Sequence, residues 1–282
     1  MGSPRVGSTL LYQFIINHFD VYFPSNKLSQ SFEENTWQKR LPELVNLACS
    51  SVPYESKYGK TFGDDQPSEA SSIFRYFFGG EHPSETKSNN PLPGMKSKFI
   101  EFCQKLKELS GSPLVFKNAW NCFRIKALAE MLPEACFLWI RRDLADSAFS
   151  DLESRKKHGG TNTWNSATPK NYREIQQLPY WEQVVEQQVA YTNTISKEFV
   201  SLSRDRTSEV WYEDLCNHTP KTLLNLNAFL SRNGFNMRES STVLPSLEIS
   251  KSQLMEETQD GQKILKYCDQ SRFFSMRYSS LK

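Results

Sequence analysis

The sequence predicts an α/β fold, a three-layer domain whose mainly parallel sheet is flanked by helices. Three observations predict it. Short runs rich in β-branched and aromatic residues recur along the chain, each parted from the next by a segment of helical periodicity. A glycine-bearing turn opens the chain and feeds an apolar stretch of helical character. A later apolar run ends in two arginines, at the sheet edge where open α/β folds bind ligands.

The opening turn, Gly2-Ser3-Pro4-Arg5-Val6-Gly7-Ser8-Thr9, has the G-x-x-x-x-G spacing and closing Ser/Thr of a P-loop NTPase-like nucleotide loop. Ser8 stands where such loops carry lysine, which disfavours ATP or GTP hydrolysis. Loop N–H groups and a helix start still concentrate positive charge on one point, and Arg5 adds a full charge with a planar, bidentate guanidinium. The plain alternative is a frayed terminus. A phosphate loop normally follows a strand, so the first strand is expected to be truncated. Residues 10–16, behind Ser8 and Thr9 as capping residues, suit a helix.

Further along, the runs 21–23, 114–117, 136–140 and 209–212 read as strands. Helices are expected at roughly 36–50, 96–110, 119–132, 143–158, 180–203, 215–232 and 251–268. Residues 51–95 are punctuated by Gly59, Gly63, Pro67, Gly79, Gly80, Pro83, Pro91 and Pro93, and read as a lid or substrate-binding insertion. The whole of 1–282 is expected to form one domain.

The run 136–140, Cys-Phe-Leu-Trp-Ile, is followed by Arg141-Arg142-Asp143 and, two turns into the next helix, by Ser150. Arg142 with Ser150 suits a second phosphate; a surface ion pair is the alternative for Arg142. Asp143 and Asp146, near a helix start, read as capping residues.

Composition narrows the partners. A net charge of +2, from 34 basic and 32 acidic residues, excludes a general nucleic-acid binder, so any anion site is local. The six cysteines are widely spaced with no C-x-x-C pair, which points to free thiols and no metal site. No run reaches the roughly 18 apolar residues of a membrane span, and no signal-peptide pattern opens the chain. A cytoplasmic protein is the expectation.

Three stretches, in order and spacing, carry a resemblance: Pro4-Arg5-Val6-Gly7-Ser8-Thr9-Leu10-Leu11, then Arg142-Asp143 through Asp146 to Ser150, then Tyr212-Glu213-Asp214-Leu215. Together they resemble the 5′-phosphosulfate loop, the 3′-phosphate motif and the late strand of sulfotransferases that use 3′-phosphoadenosine 5′-phosphosulfate (PAPS), and are most similar to a microbial-type group. His18-Phe19-Asp20-Val21, Lys57-Tyr58-Gly59-Lys60-Thr61, Pro113-Leu114-Val115-Phe116-Lys117-Asn118, Gln183 with Gln187-Gln188, and Trp211 through Cys216 extend the likeness.

The resemblance implies sulfuryl transfer from PAPS to an acceptor hydroxyl or amine, releasing 3′-phosphoadenosine 5′-phosphate (PAP). Arg5, Gly7, Ser8 and Thr9 would cradle the 5′-phosphosulfate; Arg142 and Ser150 would grip the 3′-phosphate. Arginines supply the charge, so no metal is required. Lys117, at the end of a strand, would stabilise the transferring sulfonate, or is simply solvent-exposed there. The acceptor's proton needs a base. His18, His82, His158 and His218 lack a convincing setting, and Ser25-Asn26-Lys27 cannot serve directly. Glu69, in Gln66-Pro67-Ser68-Glu69, falls in what resembles a Pro-His-Glu segment with Ser68 in place of histidine; it is a candidate base or a plain surface carboxylate. Trp164 and Tyr172 either shield the site or pack in the core.

The acceptor is left open between a partly apolar small molecule, a carbohydrate and a protein, with Tyr54, Tyr58, Phe62, Phe74, Tyr76, Phe77 and Phe78 in the insertion. Two rival readings are a kinase-like P-loop enzyme and an inactive member that binds a nucleotide or a partner.

Overall fold

The computed structural model describes residues 1–49, 51–56, 59–80, 90–238, 245–247, 249 and 255–270. Its elements run α1 (Ser8–His18), α2 (Asn26–Glu33), α3 (Trp37–Asn46), α4 (Ser71–Phe78), α5 (Met95–Ser110), α6 (Ile125–Met131), β1 (Phe137–Arg141), α7 (Leu144–His158), α8 (Tyr172–Ile175), α9 (Tyr180–Val200), β2 (Thr207–Trp211), α10 (Tyr212–Asn217), α11 (Thr219–Arg232) and α12 (Gln259–Gln270). The chain is mixed α/β, with a small parallel sheet among many helices.

Strands β1 and β2 pair in parallel from Phe137 opposite Thr207 to Arg141 opposite Trp211. Alternation along β1 decides its place. Phe137 and Trp139 join a cluster with the aromatic residues of α2, α4 and α5, whereas Ile140 joins one with α1, α10 and α11. Both faces of β1 are therefore covered, as a buried parallel strand requires.

The sheet is smaller than expected. Among the described residues, 21–23 and 114–117 contribute a single parallel bridge, Tyr22 to Leu114, with Tyr22 N–H on Pro113 O at 2.8 Å and Val115 N–H on Tyr22 O at 2.9 Å. Pro24 and Pro113 bracket that bridge, and a residue without an N–H cannot extend a ladder. Met1 lies alongside β1: its ammonium donates to Leu138 O at 2.6 Å, and Ile140 N–H donates to Met1 O at 2.9 Å. The glycine-bearing turn thus starts directly beside the strand that ends in Arg141.

Three helices arise where none was expected: α2, α4 and the single turn α8. Helix α2 is capped by Ser25, whose Oγ accepts from Leu28 N–H at 3.2 Å, and buries Leu28 and Phe32, its two apolar residues. Helix α4 lies inside the supposed lid. Its Ile73, Phe74, Phe77 and Phe78 are all buried, so that part of 51–95 serves as core, a correction that the surrounding turn residues concealed. The segment expected as one helix over 215–232 breaks at His218 and restarts with Pro220 in the first turn of α11, where its missing N–H costs nothing.

Helices α7, α9 and α12 form the third packed cluster. Within it Arg155 and Asp151, both fully buried, pair at 2.9 Å, and the guanidinium also donates to Gln183 Oε1 at 3.2 Å and Gln187 Oε1 at 2.5 Å. Burial pushes the Asp151 carboxyl above its ordinary range, against the pull of Arg155. No helix among the described residues is long and apolar enough to cross a membrane.

Candidate active site

Helix α1 begins at a backbone that only glycine accommodates well. Gly7, its N-cap, has φ 85°, and a Cβ there would lie 2.4 Å from Cδ2 of Tyr212. Gly7 brings no side chain to the uncapped N–H groups of the first turn. Arg5, two residues earlier, also sits in the left-handed region at φ 67°. Such strain in a non-glycine residue persists where its surroundings hold it, and here three distant elements do so.

From α9, Gln188 Nε2 donates to Pro4 O at 3.1 Å. From the end of β1, Arg142 Nη1 donates to Arg5 O at 3.0 Å. From α7, Ser150 Oγ accepts from Arg5 Nε at 3.3 Å. The Arg142 guanidinium lies 4.6 Å from the centre of the Tyr212 ring, the same ring that abuts Gly7. Glu213 Oε1 accepts from Asp143 N–H at 2.9 Å, fixing the turn that leads out of β1. Asp143 in turn caps α7, its Oδ1 accepting from Asp146 N–H at 3.0 Å, as expected of a capping residue.

The two positive motifs therefore converge. Arg5 and Ser150, assigned from sequence to opposite ends of one nucleotide, are in direct contact, so the two expected subsites adjoin at this pair.

A second cluster forms at the first turn of α1. Lys117 Nζ donates to Thr9 Oγ1 at 3.0 Å and pairs with Glu69 Oε1. The Lys117 side chain is only 11% exposed, which disposes of its reading as a solvated lysine, while Glu69 is 39% exposed and open to a second molecule. Thr9 Oγ1 also contacts Gly59 O, at 3.3 Å. A Cβ on Gly59 would come 3.4 Å from Glu69 Oε1 and from Thr9 Oγ1, and 3.8 Å from Lys117 Nζ, so the bare backbone forms one wall of this cluster.

Asn118 holds Glu69 in place, its Nδ2 donating to Glu69 O at 2.8 Å. Ser68, standing where the resembling segment has histidine, is buried and accepts from Ala70 N–H at 3.0 Å, a local backbone role.

Other candidates lie elsewhere. His18 is buried, 4.3 Å from the Phe14 ring and 3.3 Å from Tyr54 Oη. His158 Nδ1 meets Ser154 O at 2.7 Å, His218 lies between α10 and α11, and His82 falls outside the described residues. Trp164 packs edge-to-face on Tyr172 at 4.6 Å, is buried, and lies 5.0 Å from the Arg155 guanidinium; both rings belong to the packing around α9.

Five contributors escaped the sequence reading as site residues: Gly59, Asn118, Gln188, Tyr212 and Glu213. Each stood within a resembling stretch, and Tyr212 and Glu213 open the Tyr-Glu-Asp-Leu stretch, but none of the five was given a role at the site.

Comparison with known proteins returns two similarities. A family model described as the sulfotransferase family matches residues 1–235. Among solved structures, a sulfotransferase domain from the curacin biosynthetic pathway is similar at 16% identity and a TM-score of 0.46, covering 87% of this chain and 77% of that one. No curated protein matches the chain in sequence.

Proposed function

The chain belongs to the sulfotransferase family, and from that premise we propose that it transfers a sulfuryl group from PAPS to an acceptor hydroxyl or amine. The observation that carries the reading is the convergence at the start of α1: Arg142 on the Arg5 carbonyl, and Arg5 on Ser150. Two guanidiniums and an uncapped helix start within one hydrogen-bonded unit fit a donor with several anionic groups. The bare backbone of Gly7 admits the Tyr212 ring against the loop, which sets the loop beside Arg142.

In this reading Gly7, Ser8, Thr9 and Arg5 hold the 5′-phosphosulfate, and Arg142 with Ser150 holds the 3′-phosphate. The donor supplies a sulfuryl group activated by a phosphate leaving group. Sulfuryl transfer has a loose, in-line transition state, so the protein acts by positioning and by stabilising charge. Lys117, which contacts Thr9 and Glu69, stabilises the transferring sulfonate in this reading. Glu69 is the base that accepts the acceptor's proton as its oxygen or nitrogen bonds to sulfur. Lys117 moving from Glu69 to the sulfonate frees that carboxylate for the task.

The test is an acceptor screen with radiolabelled PAPS, run beside calorimetry with PAP. Transfer of label with tight PAP binding supports the reading; absence of PAP binding removes it.

A further inference from the structure

Lys117 and Glu69 come from two elements that pack together without them. Lys117 and Asn118 lead into the short 3₁₀ helix Ala119–Phe123, and Glu69 and Ala70 lead into α4. Phe116 meets Phe74 of α4 edge-to-face at 5.7 Å, and the buried Arg124 guanidinium lies 4.6 Å from the centre of the Phe78 ring and 5.8 Å from that of Trp120. These contacts fix the two elements against each other. The turn from Ser68 to Ser71 is left to decide where the Glu69 carboxylate points.

That turn is strained. Ala70 is fully buried and sits in the left-handed region, at φ 55° and ψ 27°, which a residue with a Cβ enters unfavourably. The peptide joining Glu69 to Ala70 is held at both ends. Its carbonyl, Glu69 O, accepts from Asn118 Nδ2 at 2.8 Å, and its N–H, on Ala70, donates to Ser68 Oγ at 3.0 Å. Ser68 is itself tied, its N–H donating to Pro24 O at 2.8 Å. Asn118 is only 3% exposed and its amide is fully engaged: Nδ2 also reaches Ser71 Oγ at 3.3 Å, and Oδ1 accepts from Trp120 N–H at 2.9 Å. With α4 fixed, any relaxation of the backbone angles at Ala70 redirects Glu69.

We propose that Asn118 is a positioning residue: by pinning the 69–70 peptide it holds Ala70 in its strained conformation and so keeps the Glu69 carboxylate against Lys117 Nζ. The inference rests on the sulfotransferase reading for the work that the pair does, but not for its geometry.

The experiment is zero-length cross-linking of the full chain with a water-soluble carbodiimide, read by mass spectrometry. The reagent activates the Glu69 carboxylate, Lys117 Nζ displaces it as a urea, and an amide forms. The Lys156–Glu153 pair of α7, at 2.8 Å, is the reference in the same sample. Asn118→Ser keeps an oxygen to cap the 3₁₀ helix but lacks the amide donor. It is expected to lower the Lys117–Glu69 yield roughly fivefold or more against the reference, with thermal midpoint and PAP affinity close to the parent's. Ala70→Gly removes the strain, since glycine enters the left-handed region freely, and in the double variant the yield is expected to return to within about twofold of the parent's. With labelled PAPS and an acceptor from the screen, kcat follows the yield: it falls roughly tenfold in Asn118→Ser and recovers in the double variant, with KM for PAPS within about twofold.

The inference is overturned if the parent gives no Lys117–Glu69 link, if Asn118→Ser leaves the yield or kcat unchanged or melts far below the parent, or if Ala70→Gly brings no recovery, which would make the amide an ordinary structural hydrogen bond. A chain whose cross-links behave as described but which binds no PAP would be a different result, sinking the donor reading and leaving the geometry intact.

Discussion

Arg142 Nη1 donates to the carbonyl oxygen of Arg5 at 3.0 Å across 137 residues of sequence. That contact brings the strand-end motif onto the glycine loop, and it has a measurable consequence for nucleotide choice. PAP is expected to bind at least tenfold more tightly than AMP, since a phosphate held by a guanidinium gains about 1.5–3 kcal/mol. Calorimetry with both ligands checks it, and Arg142→Ala is expected to erase most of the difference.

The Lys117–Glu69 pair predicts a split between binding and chemistry. Lys117→Met is expected to lower kcat by a factor of roughly 10² or more, the usual loss when a charge-stabilising group is removed, with PAP affinity altered only a few-fold. Glu69→Gln keeps the shape but not the base, and is expected to lower kcat by roughly 10²–10⁴. Single-turnover assays beside PAP titrations separate the two effects; equal losses in binding would assign both residues a structural role.

Gly7→Ala is expected to lose nucleotide binding and to destabilise the fold by about 1–3 kcal/mol. The substitution meets a left-handed φ of 85° and a ring carbon at 2.4 Å together. Thermal melts with and without PAP read both effects. Tyr212→Ala relieves the crowding but not the backbone strain, so the double variant is expected to recover only part of the stability.

Beneath Ser150, the buried Asp151–Arg155 pair predicts an asymmetry. Removing one partner strands the other as a buried charge, and Asp151→Asn or Arg155→Met is each expected to cost about 3–5 kcal/mol by denaturant unfolding. Replacing both with apolar residues of similar volume is expected to cost less than either single change. Summed losses in the double variant would show that the ion pair does not act as a unit.

The site was more legible than the fold around it. Charged and glycine positions carry chemistry that spacing reveals, so Arg5, Gly7, Thr9, Arg142 and Ser150 could be singled out, and the structure gathers them around one helix start. Lys117 and Glu69, 48 apart in sequence, were named separately, and only folding could show that they pair. Tyr212 and Gln188 lay within resembling stretches, but they act through a ring face and on a backbone carbonyl, roles that the residue types alone do not declare. The misreading of α4 has the same root: in Ser71-Ser72-Ile73-Phe74-Arg75-Tyr76-Phe77-Phe78 the apolar pattern spans barely two turns, and the glycines and prolines on either side dominated it. The strands at 21–23 and 114–117 failed to lengthen because of prolines whose missing donors matter only once a partner strand is known.

Wedged between the backbone of Gly7 and the guanidinium of Arg142, the ring of Tyr212 acts as a spacer that gears two distant parts of the chain together. The entropy of bringing them into register is lost during folding and need not be lost again on encounter. A dianionic ligand arriving at this surface should accordingly associate in a single fast phase, with a rate set by diffusion and ionic strength and no slower rearrangement behind it.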